Sequence, residues 1–300
     1  MRPIALHSKI FLDGANPAET EEIVNLLGFL DGQTTNPSLF AKNPSIQERI
    51  NNGTKFTRDE LLNEYKNIIQ DIKEITPQSL ISIEVYCDKD TKSAEMVSQG
   101  LEMNTWIENA YIKLPITIEG LKAANSLCKK GINLNMTLCF TQEQAAAVYA
   151  ATIDTEADVL ISPFQGRLDD NCKDGNDLIM NIQRMYSLSD KHVKIVNSSI
   201  RDYAHFLYAL YTKTEYITAP FNVLNEWADN GLEVPGVDID EDLFKDKTEY
   251  FKDIHNACIV GISYKEIDLS LEWGEYNISS DLTTQGIEKF SDDWNALLKS

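Results

Sequence analysis

Lys113 is the residue from which chemistry can start. It sits in Tyr111-Ile112-Lys113-Leu114-Pro115, a short apolar run followed by Thr117-Ile118-Glu119-Gly120. Such a run suits a buried parallel strand from Ala110 to Leu114 that stops at Pro115, which cannot donate a ladder hydrogen bond. Alternation puts Ala110, Ile112 and Leu114 on one face and Lys113 with Tyr111 on the other. A parallel sheet is covered on both sides, and a buried ammonium is costly to desolvate. The same surroundings favour the neutral amine, the form that attacks a carbonyl to make a Schiff base. The competing reading is structural: a lysine that snorkels to the sheet edge or pairs with a carboxylate.

The residues that share the lysine's phase separate the two. Asp13 falls on one face with Phe11 while Leu12 takes the other, and Ser82 with Glu84 oppose Ile81, Ile83 and Val85. Asn133, Asn135 and Thr137 oppose Leu134, Met136 and Leu138. Leu160, Ser162 and Phe164 oppose Val159, Ile161 and Pro163, and Thr34 pairs with Asn36. The polar members gather toward the C-terminal ends of their strands. In a barrel one alternation packs on the helices and the other fills the interior, and active sites lie at the C-terminal mouth. A purely structural interior would hold Val, Ile and Leu there, so the set points to catalysis. Arg167, in Ser-Pro-Phe-Gln-Gly-Arg-Leu-Asp-Asp, and Arg201, in Asn-Ser-Ser-Ile-Arg-Asp, follow two late strands. Guanidinium groups take phosphate in a bidentate fork, and phosphate sites of barrels favour the late loops. Each arginine could instead pair with Asp169, Asp170 or Asp202 beside it.

Positioning these groups takes eight strands alternating with helices. Strand-like runs cover Ile10 to Gly14, Gln33 to Asn36, Leu80 to Val85, Ala110 to Leu114, Ile132 to Leu138, Val159 to Phe164, Val193 to Ser199 and Tyr216 to Pro220. Helical spacing falls between them. One helix runs from Glu19 to Leu30, closed by Gly32; another opens on the Thr57/Glu60 capping box. The count predicts an α/β fold, a single (β/α)8 TIM barrel over about residues 8–231. A doubly wound open sheet needs no eighth strand and usually carries a Gly-rich phosphate turn, which this chain lacks. Residues 232–300 read as a C-terminal helical extension of the same domain. Ile287, Phe290, Trp294, Leu297 and Leu298 mark its amphipathic helix. Together with Tyr250, Phe251, Trp273 and Tyr276 it is too small for a core of its own, so it packs on the barrel or against a second subunit.

Composition narrows the partners. The chain carries a net charge of -20, with 43% hydrophobic and 25% charged residues. Such an acidic chain disfavours nucleic acid and anionic membrane, and an anionic substrate would need a local cationic patch. No apolar run reaches transmembrane length and no signal-like N-terminus is present, so a cytoplasmic protein is expected. Cys87, Cys128, Cys139, Cys172 and Cys258 form no Cys-x-x-Cys pair and are odd in number, which predicts reduced thiols. His7, His192, His205 and His255 show no metal-ligand spacing, so neither metal nor cofactor is expected and the chemistry must come from side chains.

Taken together these segments resemble the transaldolase family of Schiff-base aldolases. The resemblance rests on Phe11-Leu12-Asp13-Gly14-Ala15-Asn16, Gln33-Thr34-Thr35-Asn36-Pro37-Ser38, Ile112-Lys113-Leu114-Pro115, Asn135-Met136-Thr137-Leu138, Ser162-Pro163-Phe164, Gly166-Arg167-Leu168-Asp169-Asp170 and Ser198-Ser199-Ile200-Arg201. Asp281 to Ile287, with Phe290, is similar to the family's C-terminal helix entry. The resemblance implies a pentose-phosphate enzyme moving a dihydroxyacetone unit from a ketose phosphate to an aldose phosphate. It implies that Lys113 forms the Schiff base, that Asp13 exchanges the C4 hydroxyl proton, and that Glu84 shuttles protons through a water held with Thr137. Asn36, Asn135 and Ser162 would hold the three-carbon unit's hydroxyls, with Phe164 beside them. Arg167, Ser199 and Arg201 would grip phosphate. Phosphorylated sugars are the expected partners, and a homodimer the expected assembly. Two alternatives stand beside this reading: a fructose-6-phosphate aldolase that releases free dihydroxyacetone, and a sugar-phosphate-binding barrel without catalysis. In the aldolase relative a Gln stands at the position of Glu84 and a Tyr at that of Phe164.

Overall fold

Eight short aliphatic runs form parallel strands that close into a barrel in sequence order, the last pairing with the first. They are β1 (Lys9–Asp13), β2 (Gly32–Thr34), β3 (Leu80–Glu84), β4 (Ala110–Pro115), β5 (Leu134–Cys139), β6 (Val159–Pro163), β7 (Val193–Asn197) and β8 (Tyr216–Ala219). Helix α1 (Pro17–Leu27) follows β1. Helices α2 (Pro37–Ala41), α3 (Pro44–Asn51) and α4 (Arg58–Ile75) follow β2, and α5 (Ser93–Met103), α6 (Ile118–Cys128) and α7 (Gln142–Ala151) follow the next three strands. Then come α8 (Gln165–Asp169) and α9 (Gly175–Tyr186) after β6, α10 (Tyr203–Tyr211) after β7 and α11 (Phe221–Asp229) after β8. The extension adds α12 (Asp242–Lys245), α13 (Lys247–Tyr250) and α14 (Asp281–Asn295). The computed structural model describes residues 1–252 and 258–299, and His255 lies outside the described residues.

The barrel interior is divided along its axis. At the N-terminal end Phe11, Tyr111, Leu160, Val196 and Tyr216 form a buried apolar floor, with the Phe11 and Tyr216 rings edge to face at 5.4 Å. Above it Thr34 and Thr218 hydrogen-bond to each other at 2.6 Å, and the ionisable residues begin. The opposite strand faces, such as Ile10, Ile81, Ile112 and Val159, are fully buried under the surrounding helices. One boundary differs from the sequence reading. Helix α1 ends at Leu27, where Gly28 takes a left-handed conformation (φ 74°) and returns its N–H to the Val24 carbonyl. Gly32, read as the stop, instead opens β2. Apolar spacing runs on through Leu30, but the left-handed cap is what ends the helix.

The extension packs over the barrel of its own chain. Thr283 Oγ1 donates to the Leu138 carbonyl at 2.9 Å, and Gln144 Nε2 donates to Thr283 Oγ1 at 2.8 Å. Trp294 meets Phe40 and Tyr65 at ring distances of 5.3 and 5.8 Å. Ile287, Phe290 and Ser291 border a void of about 10 Å³ with Glu84, Pro37 and Pro115, which lays α14 over the ends of β3 to β5. Among the described residues no helix is long and apolar enough to cross a membrane.

The expectation of uniformly reduced cysteines is corrected. Cys172 and Cys258 form a disulfide with a Cα separation of 5.2 Å, bridging the turn after α8 to the extension. The chain between them spans 86 positions, so spacing gave no hint. The returning segment is zipped to that turn by Val260 N–H to the Cys172 carbonyl and Asp174 N–H to the Val260 carbonyl. Cys87, Cys128 and Cys139 are free thiols, and burial pushes those of Cys87 and Cys139 up to about 12. A cross-link closing so long a loop is worth about 4 kcal/mol on chain-entropy grounds. Thermal unfolding of Cys172→Ser, or of wild type under reductant, should therefore show a Tm lower by several degrees, with equal Tm values under reductant for the two proteins.

Candidate active site

Strand register builds the site row by row. Glu84 pairs with Lys113 across β3 and β4, and Lys113 pairs with Asn135 across β4 and β5, so the three inward side chains stand at one height. Pro115 pairs with Thr137 one step above them, and Asp13 pairs with Thr34 across β1 and β2. The Lys113 side chain is 3% exposed. Its Nζ lies 3.1 Å from Glu84 Oε2 and donates to the Thr35 carbonyl at 3.2 Å. A buried amine thus keeps an acid and a carbonyl within reach, the compensation that such burial requires.

Both acids are shifted by their surroundings. Burial raises the Glu84 carboxyl above its ordinary range, opposed by the charge and hydrogen bond of Lys113 and reinforced by the negative charge of Asp13. Burial also raises Asp13, against the pull of Lys113, the Thr34 hydroxyl, Arg201 and Lys42. Asp13 Oδ1 accepts from Thr34 Oγ1 at 2.7 Å. A carboxyl raised in this way holds its proton more tightly than a free one, the direction of shift that general acid–base work calls for.

Neutral polar groups complete the wall. Ser162 Oγ donates to Asn135 Oδ1 at 2.7 Å, and Asn135 Nδ2 donates to Ser82 Oγ at 2.9 Å. Thr137 Oγ1 is buried with no hydrogen-bond partner among the described residues, just before a β5 irregularity where Leu138 takes φ 60°. Asn36 caps α2, its Oδ1 accepting the Leu39 N–H at 2.9 Å, so its NH2 is the part left to donate to a ligand. Phe164 packs edge-on to Phe140 at 5.8 Å, and the Arg167 guanidinium lies over the Phe164 ring.

The two arginines come together through Gly166. A Cβ there would lie 2.3 Å from the Ser199 carbonyl and 2.5 Å from Arg201 Cγ, so only glycine admits both. The Gly166 N–H donates to the Ser199 carbonyl at 3.1 Å, and Ser199 holds a left-handed φ of 62°. Arg201 pairs with Asp170 at 2.6 Å, with both side chains about half exposed. Arg167 has no ion pair among the described residues, and burial and the positive charge of Arg201 both act against its charge. Two neighbouring guanidiniums, only one of them tied to an aspartate, form a site suited to a dianion. Among the described residues no cluster of three or more His, Cys, Asp or Glu that could hold a metal occurs.

Of the residues singled out from sequence, a lysine–acid group lies on β1, β3 and β4 and an arginine group follows β6 and β7, whereas Asn133 precedes β5 and accepts the Asp158 N–H. Three neighbours escaped that reading: Thr35, whose carbonyl holds the amine, Thr218, and Tyr65. Thr218 shares the inward phase of Tyr216, so alternation could have found it. Tyr65 lies on the apolar stripe of α4, where its spacing signals only core.

A buried lysine and two acids with raised carboxyls thus gather inside a closed parallel eight-stranded barrel, the arrangement of a barrel enzyme. The chain matches the family described as Transaldolase/Fructose-6-phosphate aldolase over residues 10–300, and it belongs to that family. Among its relatives is a probable transaldolase of Dehalococcoides mccartyi, 33% identical over 229 residues, covering 76% of this chain and 94% of the relative. Another, from Leptospira biflexa, is 36% identical over 216 residues, covering 71% and 87%. A third, from Thermoplasma volcanium, is 36% identical over 218 residues, covering 72% and 86%.

The raised Asp13 carboxyl carries a stability consequence. A folded-state acid held above its unfolded value opposes folding above the unfolded pKa, and the penalty is relieved as pH falls through the folded value. Asp13→Asn should therefore raise Tm by a few degrees near pH 8, with the gain vanishing toward about pH 3, when Tm is scanned against pH.

Proposed function

We propose that the protein is a transaldolase, moving a dihydroxyacetone unit from sedoheptulose 7-phosphate or fructose 6-phosphate to glyceraldehyde 3-phosphate or erythrose 4-phosphate. The observation that carries this is the buried Lys113 amine, 3.1 Å from the Glu84 carboxyl, in a barrel of the transaldolase family. In this reading the neutral amine adds to the donor's C2 carbonyl. Glu84, through a water held with the Thr137 hydroxyl, gives the proton with which the carbinolamine oxygen leaves as water. The imine that results is protonated on nitrogen. Asp13 takes the C4 hydroxyl proton, the C3–C4 bond breaks, and its electron pair moves into the iminium, leaving an enamine on Lys113 and a free aldose phosphate. The incoming aldehyde is then attacked by the enamine, Asp13 returns the proton to the new hydroxyl, and water releases the new ketose.

The remaining residues fit binding roles. Asn36, Asn135 and Ser162 present amide and hydroxyl groups to the hydroxyls of the three-carbon unit, and Arg167, Ser199 and Arg201 meet the phosphate. Glu84 and Phe164 stand where the aldolase relatives carry Gln and Tyr, which favours transfer over release of free dihydroxyacetone.

Borohydride reduction in the presence of fructose 6-phosphate should leave a dihydroxyacetone-sized mass on the Lys113 peptide, and none in Lys113→Met. Little free dihydroxyacetone should appear in a coupled assay without acceptor; rapid release would assign the aldolase reaction instead. Positioned acid–base groups contribute about 10²–10⁴-fold, so Asp13→Ala and Glu84→Ala should each lower kcat by that order while both variants still bind sugar phosphate.

A further inference from the structure

The amine of Lys113 is held by a carbonyl that strand pairing would ordinarily use. In β2 and β3, Thr34 pairs with Ser82, and the Thr35 N–H donates to the Ser82 carbonyl at 3.1 Å. Continuing that parallel ladder by one step would bring the Glu84 N–H to the Thr35 carbonyl. The step after that would need an N–H from Pro37, which has none. The chain instead leaves the sheet after Thr34 and enters α2 at Pro37. The Thr35 carbonyl accepts from Lys113 Nζ, and the Glu84 N–H donates to the Tyr65 hydroxyl at 3.1 Å.

Hydrogen-bond directions around Tyr65 follow from counting protons. Thr35 Oγ1 has one proton and gives it to the Ser82 carbonyl at 2.8 Å. The 2.7 Å contact between Thr35 Oγ1 and the Tyr65 hydroxyl therefore runs from tyrosine to threonine. The relay reads Glu84 N–H to Tyr65 hydroxyl to Thr35 hydroxyl to Ser82 carbonyl, and every member is buried. Burial raises the Tyr65 phenol far above its ordinary range, which keeps it a neutral donor. Its ring is wedged between Phe40, Trp106 and Trp294, so the hydroxyl has little freedom to wander.

We propose that Tyr65 is a positioning residue for the lysine chemistry: its hydroxyl takes the place of the Thr35 carbonyl as partner of the Glu84 amide, leaving that carbonyl to fix the Lys113 amine beside the Glu84 acid. This rests on the Schiff-base reading above. The tyrosine touches no reacting atom. It acts by holding the Glu84 backbone and the Thr35 side chain, and through them the separation of amine and acid. Without the hydroxyl, the Glu84 N–H either goes unpartnered or reclaims the Thr35 carbonyl, and in both cases the amine loses its fixed geometry.

The test compares wild type, Tyr65→Phe, Thr35→Val and Thr35→Ser by the rate of borohydride trapping with fructose 6-phosphate and by steady-state kinetics, with Tm measured alongside. Misplacing a reacting group by an ångström costs as much as 10²-fold, so Tyr65→Phe and Thr35→Val should each trap about 10- to 100-fold more slowly. Their kcat should fall by the same factor with KM within about twofold, since the phosphate and hydroxyl contacts are untouched. Thr35→Ser, which keeps the relay, should retain most of the rate. A folded Tyr65→Phe that traps and turns over at the wild-type rate overturns the proposal, as does a Tm loss alone without the split between kcat and KM. If wild type itself fails to trap, the Schiff-base reading falls and this one with it.

Discussion

The structure depends on keeping one long amine-bearing side chain inside a closed sheet. A lysine buried to 3% exposure is tolerable only where its nitrogen is compensated, and it has the Glu84 carboxyl beside it at 3.1 Å and the Thr35 carbonyl as hydrogen-bond acceptor. Each has a structural cost of its own. The carboxyl is itself buried and displaced from its ordinary range, and the carbonyl is withdrawn from the sheet. The early ending of β2, the proline that begins α2 and the tyrosine reaching in from α4 all serve that one requirement.

The barrel separates stability from chemistry along its axis. Aromatic and aliphatic side chains seal the N-terminal half of the interior, so the polar half is closed from below and opens only at the mouth. Helix α14 then roofs β3 to β5, the sector that holds the amine and its acid, while the arginine sector after β6 and β7 keeps partly exposed side chains. The amine and its acid are thereby covered, while Arg201 and Asp170 stay about half exposed.

Much of this was legible in the sequence because alternation is a two-residue signal that survives without any knowledge of tertiary contacts. Asp13, Glu84, Lys113, Asn135 and Ser162 each declared their face by the apolar residues on either side. What escaped depends on three-dimensional closeness alone. Cys172 and Cys258 meet because the extension returns beside α8, and nothing in an 86-residue spacing records that return. Tyr65 looks like any other member of an amphipathic stripe, because its ring does belong to the core and only the hydroxyl does more. Gly28 ended α1 early for a local reason, a left-handed cap, that an apolar count overlooks. For the arginines, Arg201 does pair with a neighbouring aspartate, and Arg167 has no ion pair among the described residues.

To be held by both arginines, an anion finds Arg167 unpaired among the described residues but Arg201 already tied to Asp170. It has to displace a tethered carboxylate already in place at 2.6 Å, on a molecule whose net charge of -20 repels it from a distance. Dissolved salt weakens both the long-range repulsion and the internal rival, because each is exposed to solvent screening over roughly 8–10 Å at moderate ionic strength. Any anion bound at this pair would therefore be less sensitive to salinity than one in an unopposed basic cleft, since screening removes obstacles to binding as well as attraction.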